Sequence, residues 1–285
     1  MKPSLNHRIM QTVRCCRNRF SGQTENETVL ITGASAGIGR ACAIQFAKHG
    51  KNLVLVARST DKLQALQQEL EHAYPISVTV LPMDLLQPDA ALALQKELQR
   101  RHIVVDILIN NAGYGDFAPF LDADWDKQKN MVQLNITALM QMTYVFGNEM
   151  KAHGHGHIVN LSSVAAFFAG PYMSVYYASK AFVRSFSEAV AEELNGTGVT
   201  VTAFCPGPTA TSFGQAADMD HSNMFTFHKP QTAEAVAKAI YRSCRSKQVL
   251  YYHSAVTKFS SIGARFAPRA LTRRITKQIN GNPNL

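Results

Sequence analysis

The chain has 285 residues, of which 46% are apolar and 17% charged, so it can form one large α/β domain or two smaller ones around a substantial core. Its net charge of +9 comes from the tails: residues 1–24 carry five cations, residues 252–285 carry six, and neither carries an acid, so the near-neutral body excludes a basic nucleic-acid-binding domain. The sequence contains no run of about 18 apolar residues, so we expect no membrane-spanning helix. Its five cysteines are scattered and lack metal-ligand spacing, which indicates a reducing, cytosol-like compartment.

Strand-like and helix-like segments alternate from residue 28 onwards. The predicted strands cover 28–35, 52–58, 77–84, 105–113, 156–163, 198–207 and 248–252. The predicted helices cover 38–50, 59–74, 88–101, 124–151, 175–194 and 232–245. Strands that alternate with helices of this length form βαβ units around a parallel sheet. We therefore expect an α/β fold, a single doubly wound Rossmann-type domain of six to seven parallel strands with helices on both faces.

This domain is expected to cover residues 27–252, between a basic N-terminal tail at 1–26 and a basic C-terminal extension at 253–285. The first twenty residues lack the continuous apolar core of a signal peptide, so we expect a cytoplasmic protein. This arginine-rich segment is also compatible with a transit peptide that targets an organelle. The basic tails could contact a membrane peripherally. The C-terminal extension could instead pack on the body as a helix broken at Pro268.

A glycine-rich turn, TGASAGIG at 32–39, joins the first predicted strand to the first predicted helix. Gly33, Gly37 and Gly39 allow a tight turn and a close approach of the backbone to a pyrophosphate. The helix N-terminus supplies N–H donors and a positive dipole end to the same anion. The turn therefore predicts a dinucleotide site, in which Ser35 and Ile38 also contact the cofactor.

The end of the second strand indicates which dinucleotide binds. A free ribose 2′-hydroxyl is usually held by an acid about 20 residues past the glycines, but the sequence LVLVARST places Ala57 and Arg58 there. An arginine suits a 2′-phosphate through charge-assisted bonds. Arg40 could assist it or be a solvated helix residue. The sequence therefore favours NADP(H) over NAD.

The segment YYASK at 176–180 places Tyr176 and Lys180 four residues apart on a predicted helix. Residues at this spacing share a helix face, so an ammonium lies one turn from a phenol. By itself the pair is also compatible with ordinary helix surface.

Taken in order, the motifs resemble those of the short-chain dehydrogenase/reductase family over roughly residues 27–252. They are TGASAGIG at 32–39, Asp84, NNAG at 110–113, Asn135, IVNLSS at 158–163, YYASK at 176–180 and PGPTAT at 206–211. The resemblance implies an oxidoreductase that interconverts a ketone or aldehyde and an alcohol by hydride transfer with a nicotinamide cofactor. It also selects Ser163 over Ser162 and Tyr176 over Tyr177.

The resemblance implies a catalytic role for four residues. Tyr176 would donate or accept the proton, and Lys180 would lower the pKa of this phenol from its usual value of about 10 and bind the nicotinamide ribose. Ser163 would hold the substrate oxygen within reach of the phenol. Asn135 would anchor a water that links Lys180 to solvent. Each residue also has a structural interpretation, as an interface aromatic, a strand-end cap or a buried amide.

Further cofactor contacts are implied at the ends of other strands. Asp84 would contact the adenine, or be an ordinary turn aspartate. Contacts near the adenosine ribose are implied for Asn110, Ala112 and Gly113. Contacts to the carboxamide and pyrophosphate are implied for Pro206, Gly207 and Thr209.

In residues 208–230 the apolar residues follow neither helical nor strand spacing, and the segment is more apolar than an ordinary loop. They follow the carboxyl end of a strand, where open α/β sheets bind ligands. They could form a lid over a small apolar carbonyl or alcohol substrate, or pack on a partner subunit. The residues concerned are Phe213, Met219, Met224, Phe225 and Phe227, with Tyr114, Phe117, Phe167 and Phe168 as further cleft candidates. The resemblance also implies a homodimer or homotetramer formed through the helices near 124–151 and 175–194.

Two other functions stay open at this point. The first is a cofactor-sensing binding protein on the same fold. Such a protein could dispense with the four catalytic residues, so their presence favours an enzyme. The second is an NAD-dependent alcohol dehydrogenase. The segment HGHGH at 153–157 suggests a metal, but no carboxylate or cysteine completes a site nearby. We therefore expect a glycine-rich connector there and assign no metal.

Overall fold

The structure is a computed structural model that describes residues 27–211, 230–246 and 248–281. Its strands are β1 (Thr28–Thr32), β2 (Asn52–Ala57), β3 (Val78–Pro82), β4 (Ile107–Asn110), β5 (Gly156–Leu161), β6 (Val199–Cys205), β7 (Thr209–Ala210), β8 (Gln231–Thr232) and β9 (Leu250–Tyr252). Its α-helices are α1 (Gly37–Ala47), α2 (Thr60–Ala73), α3 (Ala90–Arg100), α4 (Trp125–Val132), α5 (Leu139–His153), α6 (Ser174–Glu193), α7 (Ala233–Ser246), α8 (Ala255–Phe266) and α9 (Arg269–Asn280). A π-helical stretch covers Gln133–Ala138 and a 3₁₀ turn covers Val164–Phe167.

Seven strands form one parallel sheet in the order β3–β2–β1–β4–β5–β6–β9. The order reverses between β1 and β4, and a crevice opens at this point beyond the carboxyl ends of the strands. β7 and β8 form a separate parallel pair. The predicted doubly wound parallel sheet is therefore confirmed.

The central strands are continuous apolar runs because helices cover both faces of the sheet. Leu53, Val54 and Leu55 of β2 are at most 1% exposed although they point alternately to opposite faces. One face packs against α1, α2 and α7, and the other packs against α3, α5 and α6. Each fully buried aliphatic side chain contributes roughly 1.5–3 kcal/mol, so these two layers account for most of the apolar stabilisation.

The region predicted as one helix over 124–151 is interrupted by the π-helical stretch. Asp124 caps α4, since its side chain accepts a hydrogen bond from the Lys127 backbone N–H at 2.9 Å. The π stretch then adds a residue to the helical turn at Gln133–Ala138. Such bulges re-aim side chains and are frequent at functional sites, and Asn135 lies in this one.

The C-terminal extension forms two helices that are separated at Pro268 and pack on the body. Asn280 is fully buried; its Oδ1 accepts a hydrogen bond from the Tyr177 hydroxyl at 2.8 Å and its Nδ2 donates to the Pro171 carbonyl at 2.8 Å. The packed helix pair that the sequence allowed is therefore present. Over the described ranges, no helix combines the length and the apolar character needed to span a membrane.

A buried polar network connects the sheet to the helices beside the crevice. The Asn160 Oδ1 accepts a hydrogen bond from Asn110 Nδ2 at 2.9 Å, and the Asn160 Nδ2 donates to the Ser187 Oγ at 3.0 Å. The same Asn110 Nδ2 donates to the Thr143 Oγ1 at 3.2 Å. Because the network links β4, β5, α5 and α6, it fixes the strand ends and helices that carry the crevice.

We expect Asn160→Ala to lower the free energy of unfolding by about 2–4 kcal/mol, because it leaves buried partners without hydrogen bonds and opens a small cavity. Urea denaturation measures this change. The matched control, Asn195→Ala at an exposed position, should stay within about 0.5 kcal/mol of the wild type. Equal stability of the two variants would contradict the role of the network.

Candidate active site

A cavity of about 290 Å³ lies at the carboxyl ends of β1, β4, β5 and β6. It receives residues from sequence segments as far apart as the first turn and β7. The predicted site residues that line it are Gly33, Gly37, Ile38, Ala112, Gly113, Ser163, Tyr176, Lys180, Pro206, Gly207 and Thr209. The fold thus brings most of the predicted cofactor residues and three of the four predicted catalytic residues to one place.

The glycine turn has the geometry that a dinucleotide needs. Gly33 and Gly37 adopt positive φ of 66° and 53°, which side chains disfavour. At Gly39 an added Cβ would lie 2.2 Å from the Gly33 carbonyl oxygen, so only glycine lets α1 approach β1 this closely. No side chain caps the start of α1, which leaves its first backbone N–H groups to face an anion. The residues present therefore fit a pyrophosphate.

The two asparagines of the NNAG segment have different surroundings. The Asn110 side chain belongs to the buried network with Asn160, and Asn110 does not line the cavity. Asn111 lines it, and its Nδ2 donates to the Thr32 carbonyl at 2.9 Å. The Thr32 Oγ1 in turn accepts from the backbone N–H of Asn111 and of Ala112, both at 2.9 Å. These bonds join the ends of β1 and β4 under the cavity.

Asn135 is 1% exposed and holds the loop after β4. Its Oδ1 accepts from the Tyr114 N–H at 3.1 Å, and its Nδ2 donates to the Tyr114 carbonyl at 2.9 Å and to the Ser179 Oγ at 3.1 Å. An added Cβ at Gly113 would lie 2.8 Å from the Asn135 Oδ1 and 3.7 Å from the Lys180 Nζ. Asn135 therefore lies next to Lys180, across Gly113, while it is not itself part of the cavity wall.

Lys180 is buried, and its Nζ donates to the Leu161 carbonyl at the end of β5 at 2.8 Å. In the opposite direction, the Ser162 Oγ donates to the Lys180 carbonyl at 2.8 Å. This reciprocal pair of bonds docks the start of α6 onto the end of β5. Ser162 and Ser163 both line the cavity. The Ser162 hydroxyl donates to the Lys180 carbonyl and so positions α6, whereas Ser163 bonds to Tyr176. The predicted choice of Ser163 agrees with this arrangement.

In this structure burial raises the pKa of Tyr176, and the lowering of this pKa by Lys180 stays a prediction. Burial raises the pKa of Tyr176 to about 12, and the hydrogen bond with Ser163 opposes this only in part. The Lys180 Nζ lies 5.8 Å from the centre of the Tyr176 ring, and burial lowers the pKa of Lys180 to about 8. Desolvation disfavours the charged form of both groups, which explains the direction of both shifts.

Several predicted cofactor residues lie outside the cavity wall. Arg58 is exposed at the end of β2. The Asp84 Oδ1 accepts from the Leu86 N–H at 3.1 Å, which is the turn role that the sequence allowed. Ser35 lines a second groove, of about 430 Å³, between α1 and α2. In this groove Arg40 is bonded to Glu69, with 2.5 Å between Nη2 and Oε2, so it is neither free nor merely solvated.

An aromatic and aliphatic cluster lies beside Tyr176. It contains Phe117, Ala165, Phe168, Tyr172, Met173, Tyr176 and Tyr177. Of the further cleft candidates, Tyr114 lines the cavity, whereas Phe167 stacks on Tyr252 with 5.8 Å between ring centres. The proposed lid residues Phe213, Met219, Met224, Phe225 and Phe227 lie outside the described residues.

The histidines at 153–157 have other partners. The His155 Nε2 lies 3.1 Å from the Asp106 Oδ1, and His157 bonds to Thr200. Burial lowers the pKa of His157 to about 4, so this side chain is neutral at physiological pH. Within the ranges that the structure describes, no group of three or more His, Cys, Asp or Glu side chains could hold a metal ion.

The comparisons with known proteins agree with this geometry. The sequence model described as "short chain dehydrogenase" matches residues 27–222. The chain is 35% identical to mouse (Mus musculus) 17-beta-hydroxysteroid dehydrogenase type 3 over 185 residues, 64% of this chain and 60% of that enzyme. It is 35% identical to serine 3-dehydrogenase of Agrobacterium fabrum over 224 residues, 75% of this chain and 86% of that enzyme. The chain thus spans less than two thirds of the length of the hydroxysteroid dehydrogenases that it matches.

A solved structure shows the same fold. The short-chain dehydrogenase from Sphingobium yanoikuyae in complex with NADPH superimposes with a TM-score of 0.75 at 32% identity. The superposition covers 84% of this chain and 94% of that one.

The lowered pKa of Lys180 makes the stability of the protein depend on pH. The pKa of Lys180 is about 8 in the folded protein, against the ordinary value of 10.5. At a pH between these two values, Lys180 carries a proton in the unfolded chain that it lacks in the folded chain. Unfolding then takes up a proton, so raising the pH opposes unfolding. We expect the unfolding free energy of the wild type, relative to Lys180→Met, to rise by up to about 1.4 kcal/mol per pH unit in this window.

Urea denaturation of both proteins in buffers that span this window measures the difference. Lys151→Met, at an exposed position, is the control and should differ from the wild type by the same amount at every pH. A Lys180→Met difference that does not change with pH would show that the Lys180 pKa is not shifted by burial.

Proposed function

The chain belongs to the short-chain dehydrogenase family of oxidoreductases, and from this membership we propose that it interconverts a ketone or aldehyde and an alcohol with NADP(H). One observation carries the proposal. Ser163, Tyr176 and Lys180 line the same cavity as Gly33 and Gly37 of the glycine turn. A proton donor and a dinucleotide site therefore share one space, as hydride transfer to a carbonyl requires.

The cofactor would be held by the turn and by the strand ends around it. Backbone groups at Gly33, Gly37 and Ile38 would hold the pyrophosphate, and Arg58 would recognise the 2′-phosphate of NADP(H). Gly113, Gly207 and neighbouring backbone contribute the rest of the wall. When bound, the nicotinamide supplies or accepts the hydride.

Tyr176 is the proton donor for carbonyl reduction. Because burial holds its pKa near 12, the phenol keeps its proton throughout the neutral range. Ser163 uses its Oγ to accept from the Ala165 N–H at 3.1 Å, which fixes the side chain at the start of the 3₁₀ turn. From there its hydroxyl can hold a substrate oxygen beside the phenol. Lys180, fixed by the Leu161 carbonyl, can return a proton to Tyr176 with Asn135 on its far side.

A small apolar substrate fits the wall next to Tyr176. Met173, Ala165 and Tyr177 line the cavity and belong to a buried apolar cluster with Phe117. Apolar walls supply most of the binding surface in small-molecule sites. The relatives act on different compounds, since one is a hydroxysteroid dehydrogenase and another a serine dehydrogenase, so the substrate class is inferred from the wall alone.

The subunit contacts are also part of the proposal. Trp125, Val132, Tyr144 and Phe182 are large apolar residues that stay exposed along the π-bulged helix region and α6. Exposed apolar patches of this kind mark protein interfaces. They support a homodimer or homotetramer formed through these helices.

The preference for NADP(H) rests on the end of β2. This strand ends at Ala57 and is followed by an exposed Arg58, with no acid before Asp61. The solved structure from Sphingobium yanoikuyae contains NADPH, which supports the same choice.

Replacing the proton donor tests the reaction. We expect Tyr176→Phe to lower NADPH-dependent turnover of a responsive ketone or aldehyde by about 100- to 10,000-fold, because general acid catalysis is lost. NADPH binding, followed by fluorescence, should be nearly unchanged. NADPH absorbance over a panel of apolar ketones and aldehydes measures turnover, with Tyr74→Phe at a partly exposed position after α2 as the control. Near-normal turnover in Tyr176→Phe would remove the assignment.

Failure of the wild type to oxidise NADPH with any compound of the panel, in a folded sample that binds NADPH, would favour a cofactor-sensing protein instead.

Reversing the charge at Arg58 tests the cofactor preference. We expect Arg58→Asp to weaken NADPH binding by about 10- to 100-fold, since a charge-assisted bond to the 2′-phosphate is lost and an anion takes its place. NADH lacks this phosphate, so its affinity should stay the same or rise. Titration calorimetry measures both, and Arg242→Asp at an exposed position of α7 is the charge-matched control. A loss of equal size for NADH and NADPH would mean that Arg58 does not read the phosphate.

A further inference from the structure

The first helix of the C-terminal pair turns its polar side to the body and its apolar side to the outside. On α8 the buried side chains are Thr257 and Ser261. With about 100° between successive residues, Phe259, Ile262 and Phe266 lie on the opposite side of the helix. Phe259 is 72% exposed and Phe266 is 85% exposed. This is the reverse of an ordinary surface helix, whose apolar stripe faces the core.

The second helix is attached to the body by hydrogen bonds rather than by an apolar face. Thr276 and Asn280 are its buried side chains, and Asn280 bonds to Tyr177 and Pro171. Leu271 and Ile275 are about half exposed. The fixed inner side of the pair therefore leaves its larger apolar side chains facing outward.

The C-terminal helix pair as a whole is strongly cationic. Between residues 253 and 281 there are six cations and no acid. They are Lys258, Arg265, Arg269, Arg273, Arg274 and Lys277. Every one of them is exposed, so their charge acts on whatever approaches the outward apolar stripe.

We propose that the outer surface of α8 and α9 docks on an anionic lipid membrane. Outward aromatic and aliphatic side chains that are flanked by lysine and arginine are the features of helices that lie in the headgroup region. Basic residues beside such a face attract anionic lipids. A second copy of the chain fits less well, because a two-fold contact would bring the same patch of cations against itself. The cores of protein interfaces are also depleted of charge.

Flotation of the full chain with lipid vesicles tests the proposal. We expect binding to vesicles of phosphatidylcholine mixed with phosphatidylglycerol, and at least about tenfold weaker binding to phosphatidylcholine alone. The double variant Phe259→Ser/Phe266→Ser removes the apolar stripe, and Arg273→Gln/Arg274→Gln removes two charges. Each should weaken binding to the anionic vesicles by about tenfold or more.

Two controls make the same kinds of change elsewhere on the surface. Leu121→Ser changes a loop residue that is 91% exposed, and Lys48→Gln/Lys151→Gln removes two exposed charges elsewhere. Both should bind vesicles as the wild type does. Circular dichroism confirms that every variant is folded.

Three results would overturn the proposal. One is equal binding to vesicles with and without phosphatidylglycerol. Another is unchanged binding by both C-terminal double variants, which would assign any membrane contact to a different part of the chain. The third combines two observations: the wild type does not bind vesicles, and light scattering gives a lower oligomeric mass for Phe259→Ser/Phe266→Ser than for the wild type. That result would make the stripe a contact between subunits.

Discussion

The site depends on how a buried ammonium is attached to the end of a central strand. Lys180 donates to the Leu161 carbonyl while Ser162 donates to the Lys180 carbonyl, each at 2.8 Å. These two bonds set the angle at which α6 leaves the sheet. Because Ser163 follows Ser162 and Tyr176 lies one turn before Lys180, the same contact places both hydroxyls in the cavity. The absence of a side chain at Gly113 leaves room for Asn135 and Lys180 beside each other.

Burial at this point has an electrostatic cost that explains the protonation of the site. A partly buried phenol and a buried amine each favour the neutral form, and the pKa values of Tyr176 and Lys180 move in the opposite directions that this requires. The phenol then stays protonated until charge develops beside it. The amine is close to its titration point near neutral pH, which suits a group that exchanges protons.

Local sequence patterns were enough for the sheet and the glycine turn, whereas the roles of Tyr176 and Lys180 needed the ordered set of motifs. These features depend on short-range periodicity and on residue types that few other positions tolerate. The hydrogen bonds of Asn111 to Thr32 could not be predicted, since they depend on which of two adjacent amides points into the sheet. The contact of Asn280 with Tyr177 joins segments 103 residues apart and leaves no local pattern. The helix pattern of 258–279 was visible, but its outward apolar side appears only once Thr257 and Ser261 are seen to face the body.

The central claim is that the cavity keeps Tyr176 protonated until a positive charge is brought beside it. Ultraviolet difference titration of tyrosinate, in the wild type and Tyr176→Phe, with and without saturating NADP⁺, tests it most directly. Without NADP⁺ the two proteins should titrate alike up to about pH 10.5, because burial keeps this phenol neutral there. With NADP⁺ only the wild type should show an additional tyrosinate below that pH. Identical titrations of the two proteins in the presence of NADP⁺ would contradict the account.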